Sequence, residues 1–461
     1  MSRRVHLVGI GGTGLSAIAR VLLERGEIVS GSDQAVSPFS EALEAAGVQV
    51  RYGHRAENVA GADLVVVSSA VAEDNPEVVA ARQLGIPVQR RNVFLGELTA
   101  GSKTIAVAGT HGKTTTSGLI AWLLDQAGLS PTFIVGGMLE DFGTNARAGT
   151  GPHFVIEADE YDRAFLALRP SVAVITSVEH DHPDCYPTAE DVLAAFREFA
   201  GRVQDLLLVC LDDPGAASLA PSGILRLTYG LGGQADWRAE EIRPNAAGGS
   251  DFLALRRGGL LGLVRTRLPG DHNVLNVLAA LAVADHLGLA FADTRRALTE
   301  FHGAGRRFEV VAEEAGVWVI DDYAHHPSEI RATLAAARQR YPQAEVWAVF
   351  QPHTYSRTRA LLEGFARAFD DADHVVVTEI FASRELPDPA MSGRQVAERM
   401  KHRDARFIPE LPEAARYLQD HVQAPAVVVT LSAGDGNQVG KLLLEGLSAG
   451  EGGYSNGQKA V

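Results

Sequence analysis

The chain has 461 residues, more than one hydrophobic core usually organises, so we expect two or three domains and exclude a minimal peptide-binding module. Hydrophobic residues make up 46% of the chain and charged residues 21%, a composition typical of a folded globular protein and not of a disordered one. The formal net charge of −15 argues against binding nucleic acid through phosphate neutralisation, so small molecules are the expected partners.

The first hundred residues have the pattern of a Rossmann-type unit, in which buried parallel strands alternate with helices. Strands are predicted near residues 5–8, 27–29 and 64–67, and helices at 14–25, 39–46 and 76–84. We assign residues 1–101 to this N-terminal domain.

A second series of elements begins with an apolar run at residues 104–108, followed by a glycine loop and a helix that starts near Thr115. Further strands are predicted at 154–156, 172–175 and 206–209. Residues 223–268 have the pattern of strands joined by hairpin turns, which predicts an antiparallel addition. We assign residues 102–304 to a central domain with a parallel sheet of the P-loop ATPase type.

A third series of strands alternates with helices in the remainder of the chain. These strands are predicted near 317–320, 346–350, 374–378 and 426–430. We assign residues 305–461 to a C-terminal, Rossmann-like α/β domain whose glycine-rich tail, from Ser448, is expected to fray. The predicted fold class is therefore α/β with three domains.

The cysteine content and the hydropathy of the chain indicate the cellular compartment in which the protein works. Cys185 and Cys210 are too few for a disulfide framework, and nothing resembles a secretory or lipidation signal. No run reaches the roughly 18 apolar residues that a membrane span requires. We expect a cytoplasmic protein with neither membrane nor nucleic-acid partners.

The first motif is G-I-G-G-T-G at residues 9–14, which follows a strand and opens a helix. Asp33 lies about 20 residues further on, as in dinucleotide-binding units. Glycines let backbone N–H groups approach a phosphate at the helix N-terminus. A dinucleotide and a UDP-sugar both present a pyrophosphate, so the pattern does not separate them, and a tight turn without a ligand is the alternative.

The second motif is G-T-H-G-K-T-T at residues 109–115, directly after an apolar strand. A phosphate-binding loop needs glycines, a Lys that reaches the phosphates and a hydroxyl for Mg²⁺, and Lys113 and Thr114 supply the last two. Val107 stands where the general G-x-x-x-x-G-K-[ST] pattern has its first glycine. The motif predicts ATP binding; the alternative is a glycine turn with an incidental Lys-Thr.

Two acidic segments follow central-domain strands. E-A-D-E-Y-D at residues 157–162 is placed to hold Mg²⁺ beside the phosphate loop, although a solvated acidic turn is the alternative. E-H-D-H-P-D at residues 179–184 pairs histidines with carboxylates but has no matching Cys or His pair nearby, so structural zinc is not expected. A catalytic or metal-binding role and a hydrogen-bonded surface role both stay open for its histidines.

Polar residues also lie on both sides of the join between the second and third domains. Asn273 is placed to cap a helix over 273–288, yet Asn276 lies one turn later, and both amides could reach a nucleotide base. G-A-G-R-R-F at residues 303–308 is either a plain linker or an Arg pair that neutralises charge during phosphoryl transfer.

Two segments of the third domain, D-D-Y-A-H-H-P at 321–327 and F-Q-P-H-T-Y-S-R at 350–357, each come just after a predicted strand. Open α/β sheets hold ligands at the carboxyl ends of their strands. Both segments are rich in His, Tyr, Asp and Arg, which favours a binding site over a pair of capping clusters.

Taken together, these segments resemble, in the same order along nearly the whole chain, those of the ATP-dependent Mur ligases of peptidoglycan synthesis. The loop at 109–115 resembles that of the wider family. The loop at 9–14 with G-S-D at 31–33, and the segments at 322–327 and 350–353, resemble the members that add L-alanine and the related murein-peptide ligase.

The resemblance implies that the N-terminal domain holds a UDP-sugar, the central domain ATP and the C-terminal domain the amino acid. The implied activity joins L-alanine to the carboxylate of UDP-N-acetylmuramate through an acyl phosphate, with release of ADP and phosphate. Attachment of a tripeptide to the same acceptor is the alternative within the family. Closure of the third domain on binding is expected, because the three ligands lie on three domains.

The resemblance also implies a role for each matching position. The implied catalytic residues are Lys113, Glu157, His182 and Arg307. The implied ligands of Mg²⁺, for which Mn²⁺ can substitute, are Thr114, Glu157 and His182. The implied ATP-binding residues are Gly109, Thr110, His111, Gly112, Lys113, Thr114 and Thr115 of the loop, together with Asn273 and Asn276 near the adenine and Asp322 at the ribose. The implied UDP-sugar residues are Gly9, Gly11, Gly12, Gly14, Ser32 and Asp33. The implied amino-acid residues are Tyr323, His325, His353 and Arg357.

One position departs from the family's pattern, since Thr354 stands where some members carry Arg. Two other classes of protein stay open on the residues alone. The first glycine loop suits an NAD(P)-dependent oxidoreductase. The other class is a regulator that binds ATP and a cell-wall precursor without ligating them, against which Glu157, His182 and the His-rich third domain argue, because a pure sensor has no need of them.

Overall fold

The computed structural model describes residues 2–451, which form three α/β domains in chain order. Residue 1 and residues 452–461 lie outside the described residues, including most of the glycine-rich tail. Residues 448–451 of that tail are helical, and the remainder of the segment expected to fray lies outside the described residues.

The N-terminal domain is a five-stranded parallel sheet. Its strands are β1 (Arg4–Val8), β2 (Ile28–Asp33), β3 (Gln49–Tyr52), β4 (Leu64–Val67) and β5 (Val88–Arg90), in the order β3-β2-β1-β4-β5. Its helices are α1 (Thr13–Glu24), α2 (Pro38–Ala45), α3 (Pro76–Gln83) and α4 (Arg91–Thr99), with a 3₁₀ turn at Ala56–Val59. The strand order reverses between β1 and β4, which places a ligand crevice above the glycine loop that follows β1.

The central domain contains a ten-stranded mixed sheet. Its strands are β6 (Lys103–Ala108), β7 (Thr132–Leu139), β8 (Thr144–Arg147), β9 (His153–Glu157), β10 (Val172–Ile175), β11 (Leu206–Cys210), β12 (Leu225–Gly230), β13 (Trp237–Pro244), β14 (Ser250–Arg256) and β15 (Gly259–Thr266). Their order is β15-β14-β13-β12-β11-β10-β6-β9-β7-β8. The antiparallel addition is made by β13–β15, whereas β12 pairs in parallel with both neighbours, so the hairpin pattern predicted over 223–268 is wrong for its first strand.

The helices of the central domain position the nucleotide-binding residues. They are α5 (Lys113–Gln126), α6 (Ala189–Ala200), α7 (Pro214–Ala217), α8 (Asp271–His286) and α9 (Phe291–Ala297), with 3₁₀ segments at Glu140–Phe142 and Tyr161–Ala167. Helix α8 begins at Asp271, two residues before the predicted start, and Gly270 is its N-cap. Asn273 is therefore inside the first turn and does not cap the helix as its position in the sequence suggested.

The C-terminal domain has a six-stranded sheet in which one edge strand is antiparallel. Its strands are β16 (Glu309–Glu314), β17 (Val317–Asp322), β18 (Glu345–Gln351), β19 (His374–Val377), β20 (Ala405–Phe407) and β21 (Ala426–Ser432), in the order β16-β17-β21-β18-β19-β20. Its helices are α10 (Pro327–Arg340), α11 (Tyr355–Ala360), α12 (Leu362–Phe365), α13 (Gly393–Arg399), α14 (Leu411–His421) and α15 (Gln438–Glu451).

The N-terminal and central domains share one apolar core, whereas the C-terminal domain has cores of its own. One continuous apolar cluster runs through the N-terminal and central domains and includes Phe94 and Leu98 of α4 together with the buried strands of both sheets. The C-terminal domain has two clusters of its own, one on each face of its sheet. The first two domains are therefore joined by a shared core, which the third does not share. Among residues 2–451, no helix combines the length and apolar character needed to cross a membrane.

Candidate active site

The G-T-H-G-K-T-T segment forms the turn between β6 and α5. Its glycines are required by the backbone, since φ is +139° at Gly109 and +76° at Gly112. A Cβ on Gly112 would lie 2.6 Å from Oδ1 of Asn276. Val107, which replaces the usual first glycine, is a buried residue of β6. The loop thus delivers the N-terminus of α5, where the helix dipole favours an anion, to the carboxyl edge of the sheet.

Lys113 is held in the loop by acceptors on two sides. Its Nζ donates to the backbone oxygen of Thr110 at 3.2 Å and lies 2.8 Å from a carboxylate oxygen of Glu160. Burial lowers the pKa of Lys113, but the carboxylates of Glu160, Asp159 and Glu157 outweigh burial and raise it. The residue is therefore an ammonium ion, and the buried Glu160 is its partner.

The predicted metal ligands line one cavity of about 500 Å³. Thr114 Oγ1 donates to Glu157 Oε2 at 2.9 Å, and the Gly136 N–H donates to the same oxygen at 2.7 Å. A Cβ on Gly136 would lie 2.7 Å from Glu157 Oε1, so only glycine fits against this carboxylate. His182 Nε2 lies 3.7 Å from Glu160 Oε1. The two oxygen donors and the imidazole fit a divalent cation such as Mg²⁺ or Mn²⁺.

A second cavity of about 250 Å³ lies between the central and C-terminal domains, beside the phosphate loop. Asn273 and Asn276 line it and are fixed to each other, since Asn276 Nδ2 donates to Asn273 Oδ1 at 3.0 Å. Asp322 enters from the third domain and accepts from the Phe308 and Ala324 N–H groups. Burial raises the pKa of Asp322 to about 6. Arg307 lines both cavities.

The four predicted amino-acid residues all line the larger cavity. Arg357 Nη1 lies 2.9 Å from His353 Nδ1, and His325 Nδ1 lies 2.9 Å from the Tyr323 backbone oxygen. Burial lowers the pKa of His325 to about 4 and that of His353 to about 3, so both imidazoles are neutral at pH 7. Thr354 is buried at φ +62° and supplies no cation to this cavity.

The glycine loop of the N-terminal domain is braced by the end of β2. The Gly9 N–H donates to the Ser32 backbone oxygen at 2.8 Å, and the Gly11 N–H donates to Asp33 Oδ2 at 2.8 Å. The Ser32 side chain is buried and donates to Glu77, so the structure places this hydroxyl below the loop and not on its surface. Gly12 and Gly14 flank Thr13, the first residue of α1, which lines the same cavity as Lys113 and Arg357.

An interdomain network surrounds the phosphate loop. His111 Nε2 lies 3.0 Å from Glu179, and its Nδ1 lies 3.2 Å from Glu329 of α10. Burial lowers the pKa of His111, but these two carboxylates outweigh burial and raise it to about 10. Asp181 forms a buried pair with Arg357, with Oδ1 and Nε 2.6 Å apart.

The sequence motifs missed several residues of this region. Glu160 and Asp181 stand within the predicted acidic segments but had no assigned role, and Glu329 carried no motif. Arg91 was also missed: it lies against Gly14, contacts Asp159 at 3.3 Å and lines a cavity of about 310 Å³ beside the glycine loop. Tertiary packing brings these residues to the site, and no local signal in the sequence would have found Arg91 or Glu329.

A glycine loop, a phosphate loop and a His-rich third domain that open on one cavity define a three-domain nucleotide-dependent enzyme. Three family models match consecutive parts of the chain: "Mur ligase family, catalytic domain" over residues 4–103, "Mur ligase middle domain" over 107–284 and "Mur ligase, glutamate ligase domain" over 306–434. The chain belongs to the Mur ligase family, whose members are ATP-dependent ligases that form amide bonds.

Individual relatives are similar over nearly their whole length. The UDP-N-acetylmuramate--L-alanine ligase of Geobacter sp. (strain M21) is 44% identical over 452 residues, which is 97% of this chain and 98% of the relative. The crystal structure of UDP-N-acetylmuramate-alanine ligase MurC from Thermotoga maritima matches with a TM-score of 0.82 at 30% identity, over 97% of this chain and 99% of that one. The murein peptide ligase of Psychrobacter arcticus 273-4 matches with a TM-score of 0.70 at 26% identity, over 97% and 99% of the two chains.

Proposed function

We propose that this ligase joins L-alanine to the carboxylate of UDP-N-acetylmuramate in peptidoglycan precursor synthesis, with conversion of ATP to ADP and phosphate. The observation that carries the proposal is the cavity shared by Thr13, Lys113 and Arg357, one residue from each domain. A reaction with three substrates needs such a meeting point. Curated relatives at 44% identity that bear this activity in their names support the choice of substrates.

The chemistry begins with activation of an unreactive acid. A carboxylate resists attack by an amine because oxide would have to leave, whereas transfer of the ATP γ-phosphoryl to one carboxylate oxygen gives an acyl phosphate. Lys113 and Arg307 hold the phosphates and stabilise the charge that develops during transfer. Thr114, Glu157 and His182 would hold Mg²⁺, which would supply further neutralisation of charge during the transfer.

The second step forms the amide bond. The neutral amine nitrogen of L-alanine attacks the acyl carbon, the carbon–oxygen bond to phosphate breaks, and phosphate leaves with the bonding electrons and takes up the proton that the new amide nitrogen loses. In this proposal Arg357 binds the carboxylate of alanine, and the neutral His325, whose Nδ1 donates to the Tyr323 backbone oxygen, accepts a hydrogen bond from the amine through Nε2. The neutral His353, whose Nδ1 accepts from Arg357, lies beside the amine without repelling it. Asn273 and Asn276 contact the adenine and Asp322 the ribose. Gly9, Gly11, Gly12, Gly14 and Asp33 form the UDP-sugar site, and the buried Ser32 braces the loop from below.

Phosphate release from ATP tests the proposal. We expect release to require both UDP-N-acetylmuramate and an amino acid, with L-alanine the best of a panel. Release that does not depend on the sugar nucleotide would contradict the assignment. A preference for the tripeptide L-alanyl-γ-D-glutamyl-meso-diaminopimelate over L-alanine would assign the chain to the murein-peptide ligase activity instead.

A variant of the phosphate loop provides the matched test of the residues. Lys113→Ala should lower turnover by about a hundredfold or more while circular dichroism stays unchanged, because a charge aimed at the transferring phosphoryl is lost. Lys103→Ala, at an exposed position at the start of β6, is the control and should keep full activity. Equal turnover in the two variants would refute the role of Lys113.

A further inference from the structure

His111, Glu179 and His326 form an interdomain cluster outside the residues assigned to Mg²⁺. His111 belongs to the phosphate loop, Glu179 to the segment after β10, and His326 is the N-cap of α10 in the C-terminal domain. One potential ligand atom from each residue lies within 4.8 Å of the other two. His111 Nε2 is 3.0 Å and His326 Nδ1 is 3.3 Å from the same Glu179 oxygen.

The two separations from the Glu179 oxygen match those around a tetrahedral metal ion. Metal–ligand bonds of about 2.0–2.1 Å at tetrahedral angles place ligand atoms about 3.3 Å apart. Two imidazoles and one carboxylate suit zinc-type cations. We propose that His111, Glu179 and His326 form a zinc-type cation site that links the central and C-terminal domains, in which the bound cation displaces the ring proton that His111 otherwise donates to Glu179.

The surroundings of the cluster support this assignment, because histidines that bind metals generally give their other ring nitrogen to a carboxylate. Glu329 Oε1 lies 3.2 Å from His111 Nδ1 and is placed for this role. Ser328 Oγ donates to both oxygens of Glu179, at 3.0 and 2.7 Å. The two outer partners fix the imidazole and the carboxylate in the orientations that the site requires.

The ring of His326 supplies an independent observation. Its side chain is 7% exposed, and Nε2 has no hydrogen-bond partner. Nδ1 lies 3.3 Å from the Ser328 nitrogen and 3.3 Å from a Glu179 oxygen, so a cation at the cluster would take the Nδ1 lone pair in place of the Ser328 N–H.

The position of the cluster predicts what the cation does. His111, Ser328 and Glu329 line the cavity assigned to ATP, so a fourth ligand position opens toward the nucleotide. A cation held by residues of both domains would fasten α10 to the phosphate loop. We expect it to hold the C-terminal domain closed and to slow turnover when Mg²⁺ is already saturating.

Calorimetric titration of the full chain with Zn²⁺ in saturating Mg²⁺ tests the site, and the absorption of Co²⁺ in its place reports tetrahedral geometry. His326→Asn keeps a side-chain acceptor at the N-cap of α10 and removes the imidazole, so folding should be preserved. We expect this variant to bind Zn²⁺ at least tenfold more weakly than the parent. Glu329→Gln should weaken binding by about 10- to 100-fold through His111.

Two control variants separate this site from others. His302→Ala removes an exposed histidine of the central domain and should leave Zn²⁺ affinity unchanged. His182→Asn removes the imidazole assigned to Mg²⁺ and should also retain Zn²⁺ binding. Loss of Zn²⁺ binding in His182→Asn together with full binding in His326→Asn would overturn the proposal, as would absence of Zn²⁺ binding to the parent.

Discussion

The backbone of Gly112 determines whether the phosphate loop can take its shape. Gly112→Ala adds a Cβ at φ +76°, where it would lie 2.6 Å from Asn276 Oδ1. The left-handed conformation alone costs about 1–2 kcal/mol for a residue with a Cβ, and the collision displaces a side chain of the ATP cavity. We expect ATP binding to weaken about tenfold or more, measured by calorimetric titration.

Gly128→Ala is the matched control for this change. Its φ of +73° imposes the same backbone strain, but nothing lies within 4 Å of the added Cβ. This variant should lose stability while its affinity for ATP stays that of the parent. If both variants bind ATP equally well, Gly112 is not needed for the nucleotide.

Glu77 is a buried carboxylate that holds the N-terminal domain together from beneath the glycine loop. It accepts hydrogen bonds from Ser32 and Asn58 and pairs with His6 and His54 at 2.8 and 2.9 Å. Burial raises its pKa, but the bonds from His6, Asn58, Ser32 and His54 outweigh burial and lower it to about 2. The folded state therefore favours the ionised carboxylate.

This pKa predicts an acid-sensitive N-terminal domain. Because the folded pKa of Glu77 lies below its ordinary value of 4.5, its contribution is complete above that pH and is lost as the pH falls toward 2. A shift of this size corresponds to about 3 kcal/mol near neutral pH. Pulse-labelling hydrogen exchange in urea, followed in peptides of residues 4–90, should show that Glu77→Gln lowers stability at pH 7. The same variant should lose less stability than the parent between pH 5 and pH 3, and equal losses would contradict the prediction.

Residues of the site could be predicted from the sequence where a motif follows a strand directly. Lys113 belongs to this class, because its loop and its strand are consecutive in the chain. Glu160 and Arg91 do not, since their partners lie 47 and 68 residues away and are brought near only by the packing of sheets. No spacing rule reports such a pair, and the same is true of Glu329, which reaches His111 from another domain.

Buried strands could be predicted from the sequence more reliably than exposed ones. The strand at Leu64–Val67 is fully buried and apolar, and its predicted bounds are confirmed. Strands Gln49–Tyr52 and Ala405–Phe407 lie at sheet edges, are half-buried or exposed, and carry polar residues, so they lacked the apolar run by which strands were recognised. An edge strand is defined by the neighbour it pairs with, which is information that a local pattern does not contain.

A capping box holds the first turn of α6. Thr188 accepts from the Asp191 N–H at 3.2 Å, and Asp191 accepts in return from the Thr188 N–H at 3.0 Å. Thr188→Ala should cost about 1 kcal/mol and fray the first turn, which follows the segment that contains His182. Hydrogen exchange in residues 189–193 should become faster, and Thr188→Ser should restore the parent's protection. Unchanged exchange in Thr188→Ala would show that tertiary packing alone holds this turn.

On the scale of the whole molecule, the N-terminal and central domains share apolar contacts, whereas the C-terminal domain is joined to them by polar contacts. The N-terminal and central domains share a core, whereas polar contacts such as Asp181 with Arg357 and Glu179 with Ser328 link the central and C-terminal domains. The resemblance to the family allowed closure of the third domain to be predicted. The charges that hold it could not be predicted, because each pair joins residues about 150 or more positions apart.

The buried pair of Asp181 and Arg357 should therefore govern closure. Both side chains are at most 6% exposed; burial raises the pKa of Asp181, but Arg357 outweighs it and holds that pKa well below its usual range. Asp181→Asn would leave Arg357 buried without a counter-ion, and breaking such a buried pair costs about 3–5 kcal/mol. Opening of the C-terminal domain returns Arg357 to water and relieves this cost, so the substitution should favour the open state. We expect a larger radius of gyration in X-ray scattering and a KM for L-alanine raised tenfold or more. Glu363→Gln breaks an exposed pair with Arg399 within the same domain and should change neither the radius of gyration nor the KM. If Asp181→Asn has the same scattering and the same KM as the parent, contacts other than the pair of Asp181 and Arg357 keep the domain closed.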